Sequence, residues 1–248
     1  MIKIFTLIIF AFCFLNADNH KKIEASYDVS YGIFGKLGIA NTSIDINDGI
    51  YKIKVVAKAT GMAKVLSSGK EETYTSTGTI EGSTFIPKIY TKSSKNSYKN
   101  YKKTYTFDYA NNKVTVERVS NKLVSTADDF NNNDEDVFFA KKEEKWEREH
   151  SIQKLEYFAP NDLLSLFFNI KQAIPNFGKG NKYALKAVGG NKTDGLINIV
   201  IPSGESYKEL EEDLDINSSE KFIAQINQRI FSSSKGELFI SLNKHGVC

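Results

Sequence analysis

The chain has 248 residues, 25% of them charged, with 33 basic and 30 acidic side chains and a net charge of +3. So balanced a composition excludes the electrostatic footprint of a nucleic-acid-binding protein, and two cysteines exclude a disulfide-stapled scaffold. Four prolines and no Gly/Ser-rich spacer mark no linker, which points to one domain behind a leader.

The first element is that leader. Lys3 precedes an apolar run from Ile4 to Leu15, broken only by Thr6. At about 12 residues the run is shorter than the ~20 a helix needs to cross a bilayer. A charged start, a short apolar stretch and the small Ala17 at its exit describe a signal peptide over residues 1–17, cleaved after Ala17. Cys13 follows Phe12, where a lipoprotein box needs a small residue, so the expectation is a soluble exported protein without a lipid anchor. The mature chain, 18–248, then reads as one mostly-β periplasmic domain with no transmembrane helix. Its single thiol, Cys248, reads as an ordinary tail residue.

Strands come next. Tyr27, Val29, Tyr31 and Ile33 share one face of a first strand, and Ala40, Thr42, Ile44 and Ile46 line a second that ends at the turn dipeptide Asp48-Gly49. Tyr51, Ile53, Val55, Ala57 and Ala59 follow, with lysines opposite. Alternation of this kind makes a sheet with one dry and one wet face. A short turn of helix fits Met62 to Leu66. In KNSYKNYKKTYTF (95–107) the pattern predicts aromatic side chains inward and lysines outward, and Asn111-Asn112 turns the chain into Val114 and Val116. The acidic run 128–136 reads as a surface loop inside the domain. KKEEKWEREH (141–150) is either a charged helix or an exposed edge strand.

PNDLLSLFFNIKQAIP departs from this rhythm. Asn161 or Asp162 caps a helix whose Leu163, Leu166, Phe167, Ile170 and Ile174 share a stripe, and Pro175 ends it. Leu164 and Phe168 make it apolar nearly all round, so it belongs inside. Residues 195–201, 221–231 and 237–242 complete the strands. The expected fold is all-β and mainly antiparallel: a curved meander or incomplete barrel with one buried helix around residues 162–173. Space beside that helix would be an apolar cavity, lined by Tyr51, Ile53, Val55, Tyr105, Phe107, Leu166, Phe167 and Ile170, unless those side chains simply fill a core.

Chemical motifs are sparse. His20, His150 and His245 lie far apart, and neither G-x-S-x-G nor H-E-x-x-H occurs, so no catalytic residue, metal site or cofactor is assigned. Asp129-x-Asn131-x-Asn133 starts like a calcium loop, but Asp134 stands where the turn needs glycine. Asp215-x-Asn217-x-Ser219 resembles the extended bacterial N-glycosylation acceptor, which makes Asn217 a modification candidate.

SYDVSYGIFGKLGIANTSI, PNDLLSLFFNI and INQRIFSSSKGELFISLNKHG, in that order, resemble an exported bacterial family known as domain-of-unknown-function family 3108. The resemblance rests on Tyr and Gly near the first hairpin, on Asp162-Leu163-x-Ser165 at the helix start, and on Gly236 before the last strand. It implies an antiparallel β-protein of the cell envelope and lends no catalytic residues. Lys171 stands where members often carry an arginine. Two functional expectations follow: a non-enzymatic protein holding a hydrophobic or amphiphilic envelope ligand in its curved sheet, or an interaction component of an envelope complex. An enzyme of unrecognised type is the third.

Overall fold

Alternating side chains and tight reversals lay the first strands side by side in chain order. The computed structural model describes residues 20–30, 36–126, 143–174, 176–190, 194–208, 220–230 and 234–242. β1 (Lys21–Ser30), β2 (Lys36–Asn47), β3 (Ile50–Ala59), β4 (Glu71–Glu81), β5 (Thr84–Lys95), β6 (Lys99–Asp108), β7 (Lys113–Thr126) and β8 (Glu143–Lys154) form one antiparallel sheet in that order. The sheet is an open meander, not a closed barrel. Asp48 and Gly49 turn β2 into β3 with positive φ at both positions (49° and 74°), the hairpin geometry their sequence predicts. A bulge between Thr77 and Gly78 bends β4 against β5, where a side chain at Gly78 would collide with the Ile86 carbonyl.

α1 (Gly61–Leu66) links β3 to β4, as expected. β8 resolves the ambiguity of the charged stretch in favour of an edge strand, exposed on both faces and paired, among the described residues, only with β7. The buried helix forms as two short pieces, α2 (Leu163–Phe168) and α3 (Ile170–Ala173). They part at Asn169, whose side chain accepts from the Phe85 amide and donates to the Phe85 carbonyl, both at 2.8 Å. The residue thus acts as a one-residue strand against β5.

β9 (Lys182–Lys186), β10 (Leu196–Val200), β11 (Glu220–Ile230) and β12 (Ser234–Leu242) make a second antiparallel sheet, ordered β12-β11-β10-β9, instead of extending the first. Its Ile197 and Ile199 meet Leu166 and Ile170 of the helices and Tyr90, Tyr105, Phe107, Val114 and Val116 of the first sheet in one core. A smaller cluster of Ile44, Tyr51 and Ile53 lies under Leu164 and Phe168. Among the described residues no helix is long and apolar enough to cross a membrane. The expected leader and its expected cleavage site at Ala17, the expected loop 128–136, Asn217 and Cys248 lie outside the described residues.

Candidate functional site

Seven of the eight expected lining residues pack within two hydrophobic clusters. Tyr51, Ile53, Tyr105, Phe107, Leu166 and Ile170 are all buried, between 1% and 9% exposed, and are divided between the two packed clusters. Phe167 packs half-buried against the larger one. Val55 alone lies outside both, half-buried on β3. A curved sheet and a greasy helix do meet, but they interdigitate as core.

The helix is held to the sheet by a buried polar chain. The Asp162 carboxylate accepts from the Leu164 and Ser165 amides at 2.7 and 2.9 Å, while the Ser165 hydroxyl accepts from the Asp162 amide at 2.9 Å. This reciprocal capping box satisfies the first turn of α2. On its other oxygen the carboxylate accepts from Ser76 of β4 at 2.5 Å, and Ser76 in turn bonds the Tyr51 hydroxyl at 3.0 Å. Burial pushes the Asp162 carboxyl up to about 6, against the lowering effect of these hydrogen bonds. Tyr109 adds a further tie, its hydroxyl reaching the carbonyls of Pro87 and Pro160. Asp162, Ser165, Ser76 and Tyr51 are buried, Tyr109 lies at the rim, and the network docks and orients the helix.

Beyond the helix the same sheet face changes character. Cross-strand partners share a face, and the register aligns Val55, Tyr74, Lys92, Lys103 and Arg118 across β3 to β7 in one row. The adjacent row carries Ile53, Ser76, Tyr90, Tyr105 and Val116, which belong to the core apart from Ser76. Three cations therefore stand directly opposite one another on adjacent strands, next to aromatic and aliphatic packing. All three are half-buried. On the far side come the buried Ser94 and Ser120 with the half-buried Tyr101 between them.

Electrostatics agree with this placement. Burial lowers the Lys92 ammonium from its usual value; Glu72 opposes that, while Lys103 and Lys70 add to it. The Lys92 ammonium lies 5.1 Å from the centre of the Tyr74 ring. Glu72, the carboxylate within this group, accepts from the Tyr74 hydroxyl at 2.7 Å and pairs with Lys70 at 3.0 Å. Arg118 Nε is buried with no hydrogen-bond partner among the described residues. Like charges facing each other across strands cost stability, as does an unsatisfied buried donor. A planar guanidinium beside two ammonium groups fits a phosphate, sulfate or carboxylate.

Lys103 corrects the inward-aromatic, outward-lysine reading of 95–107: it stands two positions from both Tyr101 and Tyr105, so it shares their face. The same parity test places Lys92 with Tyr90, and Arg118 with Val114 and Val116. Among the described residues no three His, Cys, Asp or Glu side chains converge as metal ligands. His20 and His150 make exposed contacts with Asp45 and Glu117, at 2.9 and 3.0 Å.

Residues 26–138 match a family described as a protein of unknown function (DUF3108). The chain resembles that family. The match takes in the second half of β1, all of β2 to β7 and therefore the whole Lys92–Lys103–Arg118 row, but neither the capped helix nor the second sheet. Of the three stretches that carried the resemblance in the sequence, it contains the whole of the first and neither of the others. Comparison with curated proteins and with solved structures gives no match.

Proposed function

We propose that this is a non-enzymatic protein of the cell envelope, periplasmic once its leader is removed, that binds an anionic amphiphile on the inner face of its meander sheet. The acidic headgroup sits on Lys92, Lys103 and Arg118, and the apolar part lies along the aromatic margin of the core near Val55 and Tyr74. The observation that carries this reading is the alignment of three half-buried cations in one cross-strand row, with a buried guanidinium nitrogen that has no hydrogen-bond partner among the described residues. A sheet has little structural reason to place such charges opposite one another. An anion on the row would complete the hydrogen bonding of the Arg118 guanidinium and offset the repulsion between like charges.

The packed interior shifts the reading from a deep lipid cavity to a surface-laid ligand. The row offers charge and hydrogen-bond donors, and Glu72 is already engaged by Tyr74 and Lys70, which favours binding over catalysis. A role in envelope assembly is the second reading, supported by the edge of β8, which pairs only with β7 among the described residues. Its charged side chains blunt that edge against indiscriminate strand pairing.

Native mass spectrometry of protein purified without detergent tests the first reading. The expected result is a retained phosphate- or carboxylate-bearing amphiphile that disappears in the Lys103→Met, Arg118→Met variant. Retention of the same species by that variant, or of neutral lipid alone, would remove the proposal.

A further inference from the structure

α1 carries a second unexplained feature. Met62, Val65 and Leu66 lie at i, i+3 and i+4, the spacing of a helix face meant for burial, yet they are 73%, 71% and 82% exposed. No residue of this helix is buried. Its frame is nevertheless fixed: the Thr60 amide bonds the Leu37 carbonyl at 2.9 Å, the Gly69 amide closes on Lys64 at 2.7 Å, and Ser97 of the β5–β6 turn bonds Ser68 at 3.1 Å. The apolar face is held outward.

The neighbouring turns extend it. Tyr98, 58% exposed, follows Ser97, and its carbonyl accepts from the Leu123 amide at 2.8 Å. Leu123 is opposite Trp146 on β8, which is 49% exposed. One end of the sheet thus presents an apolar helix with two aromatic side chains along its margin. Beside α1 a shallow groove of about 520 Å³ is lined by Lys58, Lys64, Lys70 and Glu71. Lys95 and Lys99 flank the adjoining turn, so among the described residues five lysines stand near two glutamates: Glu71, which pairs with Lys58 and Lys95 at 3.2 and 3.4 Å, and Glu72, which pairs with Lys70 at 3.0 Å.

From this arrangement we infer that the α1 end of the sheet docks on an anionic lipid bilayer. Met62, Val65 and Leu66 enter the interface, Tyr98 and Trp146 lie at headgroup depth, and the lysines of the groove meet lipid phosphates. Exposed apolar side chains interleaved with lysines suit a bilayer surface. The core of a protein–protein interface, by contrast, is depleted in lysine. This surface is the end of the sheet and borders the cationic row on its face, with Lys70 and Glu72 common to both.

Trp146 is the only tryptophan and reports on docking directly. With vesicles of phosphatidylcholine and phosphatidylglycerol, the protein co-sediments and Trp146 emission shifts to the blue, less so at high salt. The variant Met62→Ser, Val65→Ser, Leu66→Ser keeps its far-ultraviolet circular dichroism and binds at least tenfold more weakly. Unchanged Trp146 emission with vesicles, or equal binding by that variant, would overturn the inference. So would a dimer in sedimentation equilibrium that the variant abolishes while vesicles are ignored, because the face would then belong to a second copy of the chain.

Discussion

Ser76 on β4 donates a 2.5 Å hydrogen bond to Asp162, the residue that caps α2, although 86 positions separate them in the chain. The bond joins the sheet to the helix at a carboxyl group that is fully buried. Its neighbours are Tyr51, Tyr90 and Tyr109, whose hydroxyls are all pushed up, first by burial and further by this carboxyl.

That carboxyl makes stability depend on pH in a defined direction. Burial raises it from the ordinary 3.8 to about 6 in the folded protein. Between those values the native state binds more protons than the unfolded one, so stability falls as pH rises. The stabilisation is fully present below about pH 4 and is lost by about pH 6–7, some 3 kcal/mol in all. Asp162→Asn keeps the acceptor for the Leu164 and Ser165 amides and offers a donor to Ser76. Urea unfolding from pH 4 to 7 is expected to show this contribution in the wild type and its absence in Asp162→Asn.

Asn169 is the second fastening. Asn169→Ala leaves the Phe85 amide and carbonyl without their side-chain partners and is expected to cost about 2–4 kcal/mol. Asn169→Asp keeps the acceptor half but sets a carboxylate oxygen against the Phe85 carbonyl and the Asn161 side-chain oxygen, so it should cost at least as much. Denaturation midpoints of the three proteins, read with constant m-values, check the order.

A packed interior and a hollow one respond differently to truncation. Leu166→Ala and Ile53→Ala, both at positions 1% exposed, are expected to cost about 2–5 kcal/mol through lost burial and residual cavity. Val55→Ala, half-buried and outside both clusters, should cost under about 1.5 kcal/mol. Thermal unfolding in the absence of lipid measures all three. Small, similar losses would mean that the first two side chains line empty space.

The meander was readable from the sequence because period two and turn chemistry are local signals: Asp48-Gly49 and the alternation around Ile53 and Tyr105 decide the pairing by themselves. The capped helix was readable from Asp162 and its apolar stripe for the same reason. Its division at Asn169 was not, since that depends on Phe85, a residue 84 positions away. Whether apolar residues face a cavity or each other depends on what packs opposite, and the second sheet supplies that answer through Ile197 and Ile199. The cationic row was half legible. Parity alone puts Lys92, Lys103 and Arg118 on the dry face, but only the register brings them into line.

Because like charges oppose one another in that row, stability and binding should pull apart there. Titration with dodecyl phosphate, against neutral dodecyl maltoside as the control, puts this to the test in the wild type and in the Lys103→Met, Arg118→Met variant. The expectation is that the wild type binds the phosphate amphiphile and ignores the maltoside. The variant should bind at least tenfold more weakly while unfolding within about 1 kcal/mol of the wild type, or above it. Equal affinity of the two proteins for dodecyl phosphate would contradict the assignment of the row as an anion site.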